Sequence, residues 1–80
     1  MSKRLAEMRR NPQGDWTIAD VEVLCQEQGL RCTPPRGGGS HHKVSHPSVP
    51  EILTIPSRRP IKPVYIRRLV ALIDALRAAP

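Results

Sequence analysis

The chain has 80 residues, enough for one small domain, with thirteen Lys and Arg against seven Asp and Glu, a net charge of +6, and only Trp16 and Tyr65 as aromatics. No apolar run approaches the roughly 18 residues of a membrane span. Two cysteines make no disulfide framework, and the opening Met1-Ser2-Lys3-Arg4 leads into no secretion-leader stretch, so the expected setting is cytoplasmic, with reduced thiols and no membrane.

The first predicted element is a short basic helix over Lys3 to Arg10, broken by Asn11-Pro12-Gln13-Gly14-Asp15. Eight residues are too few for a helix to persist alone, so it needs the rest of the chain to fold against. A second helix, 18–28, is better marked. Thr17 suits the N-cap, with Asp20 three residues on as the other half of a capping box. Trp16 and Val21 are spaced as a hydrophobic staple. Ile18, Val21, Leu24 and Cys25 form one apolar face, and Gly29 suits the left-handed residue that ends a helix.

The middle reads as strands. Leu30 to Thr33 is the first, stopped by Pro34-Pro35, and Arg36-Gly37-Gly38-Gly39 is a loop. Ser40 to His46 is the second, with Ser40, His42, Val44 and His46 on one face and His41, Lys43 and Ser45 on the other. Pro47-Ser48-Val49-Pro50 turns the chain, and Glu51 to Ile55 is the third strand, with Leu53 and Ile55 inward. After the basic connector Ser57–Lys62, Pro63 opens a final helix running to about Ala78, whose stripe is Tyr65, Leu69, Leu72, Ile73 and Leu76. The fold expected is α+β, α-β-β-β-α: a three-stranded antiparallel sheet with helices on one face, of double-stranded-RNA-binding-domain type, plus the short N-terminal helix. Residues 1–16 form a basic extension to the domain at 17–80.

The positive charge raises the local concentration of polyanions, nucleic acid foremost; acidic lipid or an acidic protein feels the same field. All three histidines fall between His41 and His46. Histidine is suited to proton transfer near neutrality. The preceding glycines let a phosphate approach the backbone, with Lys43, Arg36, Arg58 and Arg59 to orient it. RNA brings its own nucleophile, the 2′-hydroxyl. One base, with cations on the developing phosphorane charge, therefore suffices to cleave it without metal. Lys62 and the first turn of the last helix offer a further anion site. Each feature also has a plainer reading: exposed histidines as polar surface, His46 in a structural hydrogen bond, the glycine run as a hairpin connection, and the arginines as solubilising charge.

Other chemistries are poorly served. Cys25 and Cys32 lack paired Cys-x₂-Cys spacing, and His42 and His46 lie about 13 Å apart along a strand, so no metal site is expected. No Gly-Lys-Ser/Thr follows the glycines, and Glu51 is the lone carboxylate between Glu27 and Asp74, which disfavours nucleotide binding and a two-metal nuclease.

Gly39-Ser40-His41-His42-Lys43-Val44-Ser45-His46-Pro47, then Leu53-Thr54-Ile55-Pro56, then Ile61-Lys62-Pro63 leading into Tyr65-Ile66-Arg67-Arg68-Leu69, resembles the HicA family of toxins over roughly residues 18–76. These are small mRNA interferases of bacterial toxin–antitoxin pairs. The resemblance implies ribosome-independent, metal-free RNA cleavage, with His41, directly after Gly39-Ser40, as the catalytic histidine. It also implies a HicB-type antitoxin that covers the site. The chain departs from the family in having Ile61-Lys62-Pro63-Val64 where Ile-Pro-Lys-Gly is common, and Val44 where an aromatic is common. The expected function is thus an endoribonuclease toxin acting on mRNA without a cofactor. The alternatives are a non-catalytic RNA-binding module with an inert His41, or a basic subunit that docks an acidic protein.

Overall fold

The computed structural model describes residues 2–78. Its elements follow the order α1 (Lys3–Arg10), α2 (Ile18–Gln28), β1 (Arg31–Thr33), β2 (His41–His46), β3 (Val49–Pro56) and α3 (Pro63–Ala78). The strands form one antiparallel sheet in the order β1-β2-β3. One face is covered by helices and the other is open. The fold is therefore α+β with the α-β-β-β-α order and an added N-terminal helix.

Local chemistry accounts for α2 well. The Thr17 hydroxyl accepts from the Asp20 N–H, and the Asp20 carboxylate accepts from the Thr17 N–H, so the capping box is complete. Gly29 ends the helix at φ 74°, where a side chain would be strained. The short α1 is capped by the Ser2 hydroxyl, which accepts from the Leu5 N–H.

Sheet registration sets which side chains see the core. Cys32, Val44 and Leu53 form one cross-strand row, and His42 pairs with Ile55. These point inward: Val44, Leu53, Ile55 and His42 are buried and Cys32 is half-buried. The row Thr33, Lys43 and Thr54 points outward and is exposed. The core joins Val44, Leu53 and Ile55 to Val21, Leu24 and Cys25 of α2 and to α3.

Two expectations are corrected. The turn is only Pro47-Ser48, because β3 begins at Val49, which pairs with His46 across a bulge. Pro50 fits there because β3 is an edge strand, where a missing N–H breaks no ladder. The buried stripe of α3 is rotated, being Ile66, Leu69, Val70, Leu72 and Ile73, with Tyr65 and Leu76 only half-buried. The cause is α1, which packs against α3 as well as α2 and so covers α3 from a second side. Leu5 and Met8 of α1 join the same core that the sheet uses.

Met8 is fully buried. Met8→Ala is expected to lower stability by about 2–5 kcal/mol, as for other buried Met to Ala changes. Urea unfolding followed by circular dichroism measures this; an unchanged midpoint would mean that α1 contributes nothing to the cooperative unit.

Candidate functional site

β1 ends at Thr33, opposite Lys43, because Pro34 and Pro35 have no N–H to continue the ladder. Beyond Lys43, β2 therefore has a neighbour on one side only. His41 pairs with Pro56 and His42 with Ile55 of β3. The chain returns through Arg36-Gly37-Gly38-Gly39, in which Gly37 and Gly38 take φ of 64° and 79°. Gly39 closes the turn with its N–H on the Arg36 carbonyl at 3.4 Å. A Cβ on Gly39 would stand 3.2 Å from the Pro35 Cβ, so only glycine fits without displacing that proline. The Ser57 N–H then donates to the Ser40 carbonyl at 2.6 Å, anchoring β2 just before His41.

The notch so formed is a concavity of about 560 Å³ lined by Thr33, Pro34, Pro35, Arg36, His41 and Lys43. His41, Lys43 and Arg36 thus share one surface, and Gly39 and Ser40 border it in the chain. His41 is exposed, and its Nδ1 lies 3.3 Å from the Ser40 hydroxyl. If the ring's Nδ1–H donates to Ser40, Nε2 is left with a free lone pair, the form a general base requires.

The other two histidines have different surroundings. His42 is only 9% exposed, and its Nδ1 has no hydrogen-bond partner. The His46 Nδ1 accepts from the Ser48 N–H at 3.0 Å and so stabilises the turn. Among the described residues, no three His, Cys, Asp or Glu side chains gather as a metal ligand set. Cys25 and Cys32 are free thiols on the core side; hydrogen bonding with Cys32 and burial push the Cys25 thiol up.

A second concavity, of about 370 Å³, includes Pro56, the cross-strand partner of His41. Its other lining residues are Arg58, Arg59, Pro60, Lys62 and Tyr65. The first turn of α3 has few backbone donors to spare. Pro63 has no N–H, and the Tyr65 and Ile66 N–H groups both donate to the Lys62 carbonyl. Anion binding here therefore falls to the side chains of Arg58 and Lys62. Arg59 is held by Asp15 through two bonds, Nε to Oδ1 at 3.1 Å and Nη2 to Oδ2 at 2.6 Å. This hydrogen-bonded pair draws Asp15 below the usual carboxylate range.

The remaining ion pairs lie on the helical side. Arg9 forms a fork with Asp74, and Arg4 reaches Asp20 and Glu27. Among the described residues, Arg31, Arg36, Lys43, Arg58 and Lys62 have no salt-bridge partner. Arg31, paired with Ser45 on the outward face of β1, was not singled out by sequence pattern, and neither was Tyr65 as a lining residue. Outward strand parity would have found Arg31; nothing local signals Tyr65.

A scan against protein-family models finds no match, and searches of curated proteins and of solved structures find none either. Among the described residues, no helix is long and apolar enough to cross a membrane.

The Asp15–Arg59 pair makes a testable prediction. Asp15 has a depressed folded-state pKa, so the contact is intact above the ordinary carboxylate range and is lost as pH falls through the depressed value. A carboxyl-carbon NMR titration should give Asp15 a midpoint below that of an unfolded peptide. Asp15→Asn frees the Arg59 guanidinium, so in a titration with single-stranded RNA one added phosphate contact should steepen the log–log salt dependence by about 0.7. An unchanged slope would remove Arg59 from the interface.

Proposed function

We propose that the protein is a metal-independent endoribonuclease that cleaves mRNA, the toxin of a cytoplasmic toxin–antitoxin pair whose HicB-type antitoxin partner covers the site. The observation that carries this reading is the placement of His41: exposed, at the open end of β2, in one concavity with Lys43 and Arg36. The resemblance of residues 39–47 to HicA toxins supports it from the sequence side.

The chemistry follows from the residues. His41 Nε2 removes the proton of a ribose 2′-hydroxyl. The 2′-oxygen attacks the adjacent phosphorus, and a fifth oxygen ligand places extra negative charge on the phosphoryl oxygens. Lys43 and Arg36 stabilise that charge, which is larger in the transition state than in the ground state. The bond to the 5′-oxygen breaks, and the proton is returned to that oxygen by the imidazolium. The products are a 2′,3′-cyclic phosphate and a 5′-hydroxyl. Gly39 and Ser40 bring backbone close to the phosphate, while Arg58, Lys62 and, once released, Arg59 bind phosphates further along the strand.

His41→Ala is expected to retain its circular dichroism spectrum and RNA affinity. Its cleavage of purified RNA should fall by roughly 10²–10⁴-fold, the usual worth of a general base. Cleavage should persist in chelator. Equal cleavage by both proteins would overturn the assignment of His41. Salt-sensitive binding without cleavage by the wild-type protein would leave an RNA-binding module, and no RNA binding at low salt would point to an acidic protein partner.

A further inference from the structure

The concavity at Pro56 and Tyr65 differs in kind from the one that His41 lines. Its cations, Arg58, Arg59 and Lys62, are joined by Pro56, Pro60 and the ring of Tyr65. Charge alone needs no apolar walls, so this lining suits a ligand that has both a flat apolar body and flanking negative charge. At about 370 Å³ the hollow falls at the small end of the range for small-molecule sites, roughly 300–1,000 Å³.

Tyr65 is the one aromatic placed to meet such a ligand. Trp16 is committed elsewhere: its indole N–H donates to the Asn11 carbonyl at 2.8 Å, and its own carbonyl accepts from the Ile61 N–H at 2.8 Å. Tyr65 packs half-buried against the core, so its ring enters the pocket wall already ordered. Little side-chain entropy is then lost on binding. Pro56, in the lining of this pocket, is the cross-strand partner of His41, so their Cα atoms stand about 5 Å apart.

We infer that the Pro56–Tyr65 pocket is a nucleobase subsite, in which Tyr65 stacks on an unpaired base next to the phosphate presented to His41, while Arg58 and Lys62 bind the phosphates on either side. This rests on the RNA-cleaving reading above and specifies its substrate as single-stranded. A base held in a duplex is stacked on both faces and cannot enter the pocket, whereas an unpaired base can be splayed onto an aromatic ring. Stacking on a lone tyrosine tolerates every base, because each has a π-face.

The test uses the full chain and an uncleavable 2′-O-methyl RNA strand, so binding is read apart from cleavage. Tyr65→Leu should weaken binding by roughly 5- to 150-fold, the range for loss of one base–aromatic stack. Tyr65→Phe should stay within about twofold of wild type, and the salt slope should be the same for all three proteins, since no phosphate contact changes. A strand of the same length with abasic positions throughout should bind wild type and Tyr65→Leu equally. That comparison also identifies a misfolded variant, which would lose affinity for both strands. In that event the wild-type protein's preference for the base-bearing strand over the abasic one decides, and equal affinity overturns the subsite.

Wild-type affinity in Tyr65→Leu, or an equal loss in Tyr65→Phe, would also overturn the subsite. The nuclease reading fails separately. A protein whose binding depends on the Tyr65 ring but which never cleaves natural RNA keeps the subsite and loses the enzyme. One that cleaves with no dependence on that ring does the reverse.

Discussion

The arrangement depends on the two-residue period of β2. With one sheet face covered and the other open, the strand has two registers, and a slip by one residue exchanges them. In the observed register Val44 is fully buried and Lys43 is exposed. The slipped register would bury the Lys43 ammonium without a partner and expose Val44, and desolvating an unpaired charge is costly. Lys43 and Val44 thus decide which face is which, and the histidines follow. His41 goes outward with Lys43. His42 goes inward with Val44, where its Nδ1 finds no partner. An unsatisfied buried group of this kind costs about 1–3 kcal/mol, well below the cost of the alternative register.

The ion pairs are concentrated among the helices. Asp20, Glu27 and Asp74 are drawn into ion pairs with Arg4 and Arg9 of α1, on the helical side. These pairs are partly or largely exposed and add little stability individually. Among the described residues, Lys3, Arg10, Arg67, Arg68 and Arg77 of α1 and α3 are without a salt-bridge partner, as are Arg31, Arg36, Lys43, Arg58 and Lys62, so unpaired positive charge remains on both layers. A net charge of +6 spread evenly would attract polyanions to any orientation. What marks the notch is that Arg36 and Lys43 stand there together with His41.

Much of the fold was legible because its signals are local. The capping box of Thr17 and Asp20, the terminating Gly29 and the alternation through β2 each act within a few residues. Features set by packing between distant segments were not legible. Nothing near Leu5 or Met8 reveals that they join the core, since the Pro12–Gly14 break reads as separation. Ile66 and Val70 are buried on a helix that packs against both β3 and α1, which its own sequence does not show. The bond between Asp15 and Arg59 spans 44 residues and carries no pattern. At the site, the grouping of His41 with Lys43 followed from strand parity and nearness in sequence. Tyr65 reaches the neighbouring hollow from another element, and only the tertiary fold brings it there.

Proline explains why the notch lies where it does. Pro34 and Pro35 stop β1 before it can flank His41, so the sheet narrows from three strands to two just beyond Lys43. A longer β1 would pair with the His41 backbone and fill the space that Arg36 and Lys43 now border. Pro56 ends β3 directly opposite and turns the chain out towards Arg58 and Lys62. The same prolines protect the structure, because an exposed strand edge with free N–H groups recruits other strands. A phosphodiester needs room, a base and positive charge at one point. In this chain the edge residues that block strand addition are also those that leave the space beside the imidazole open.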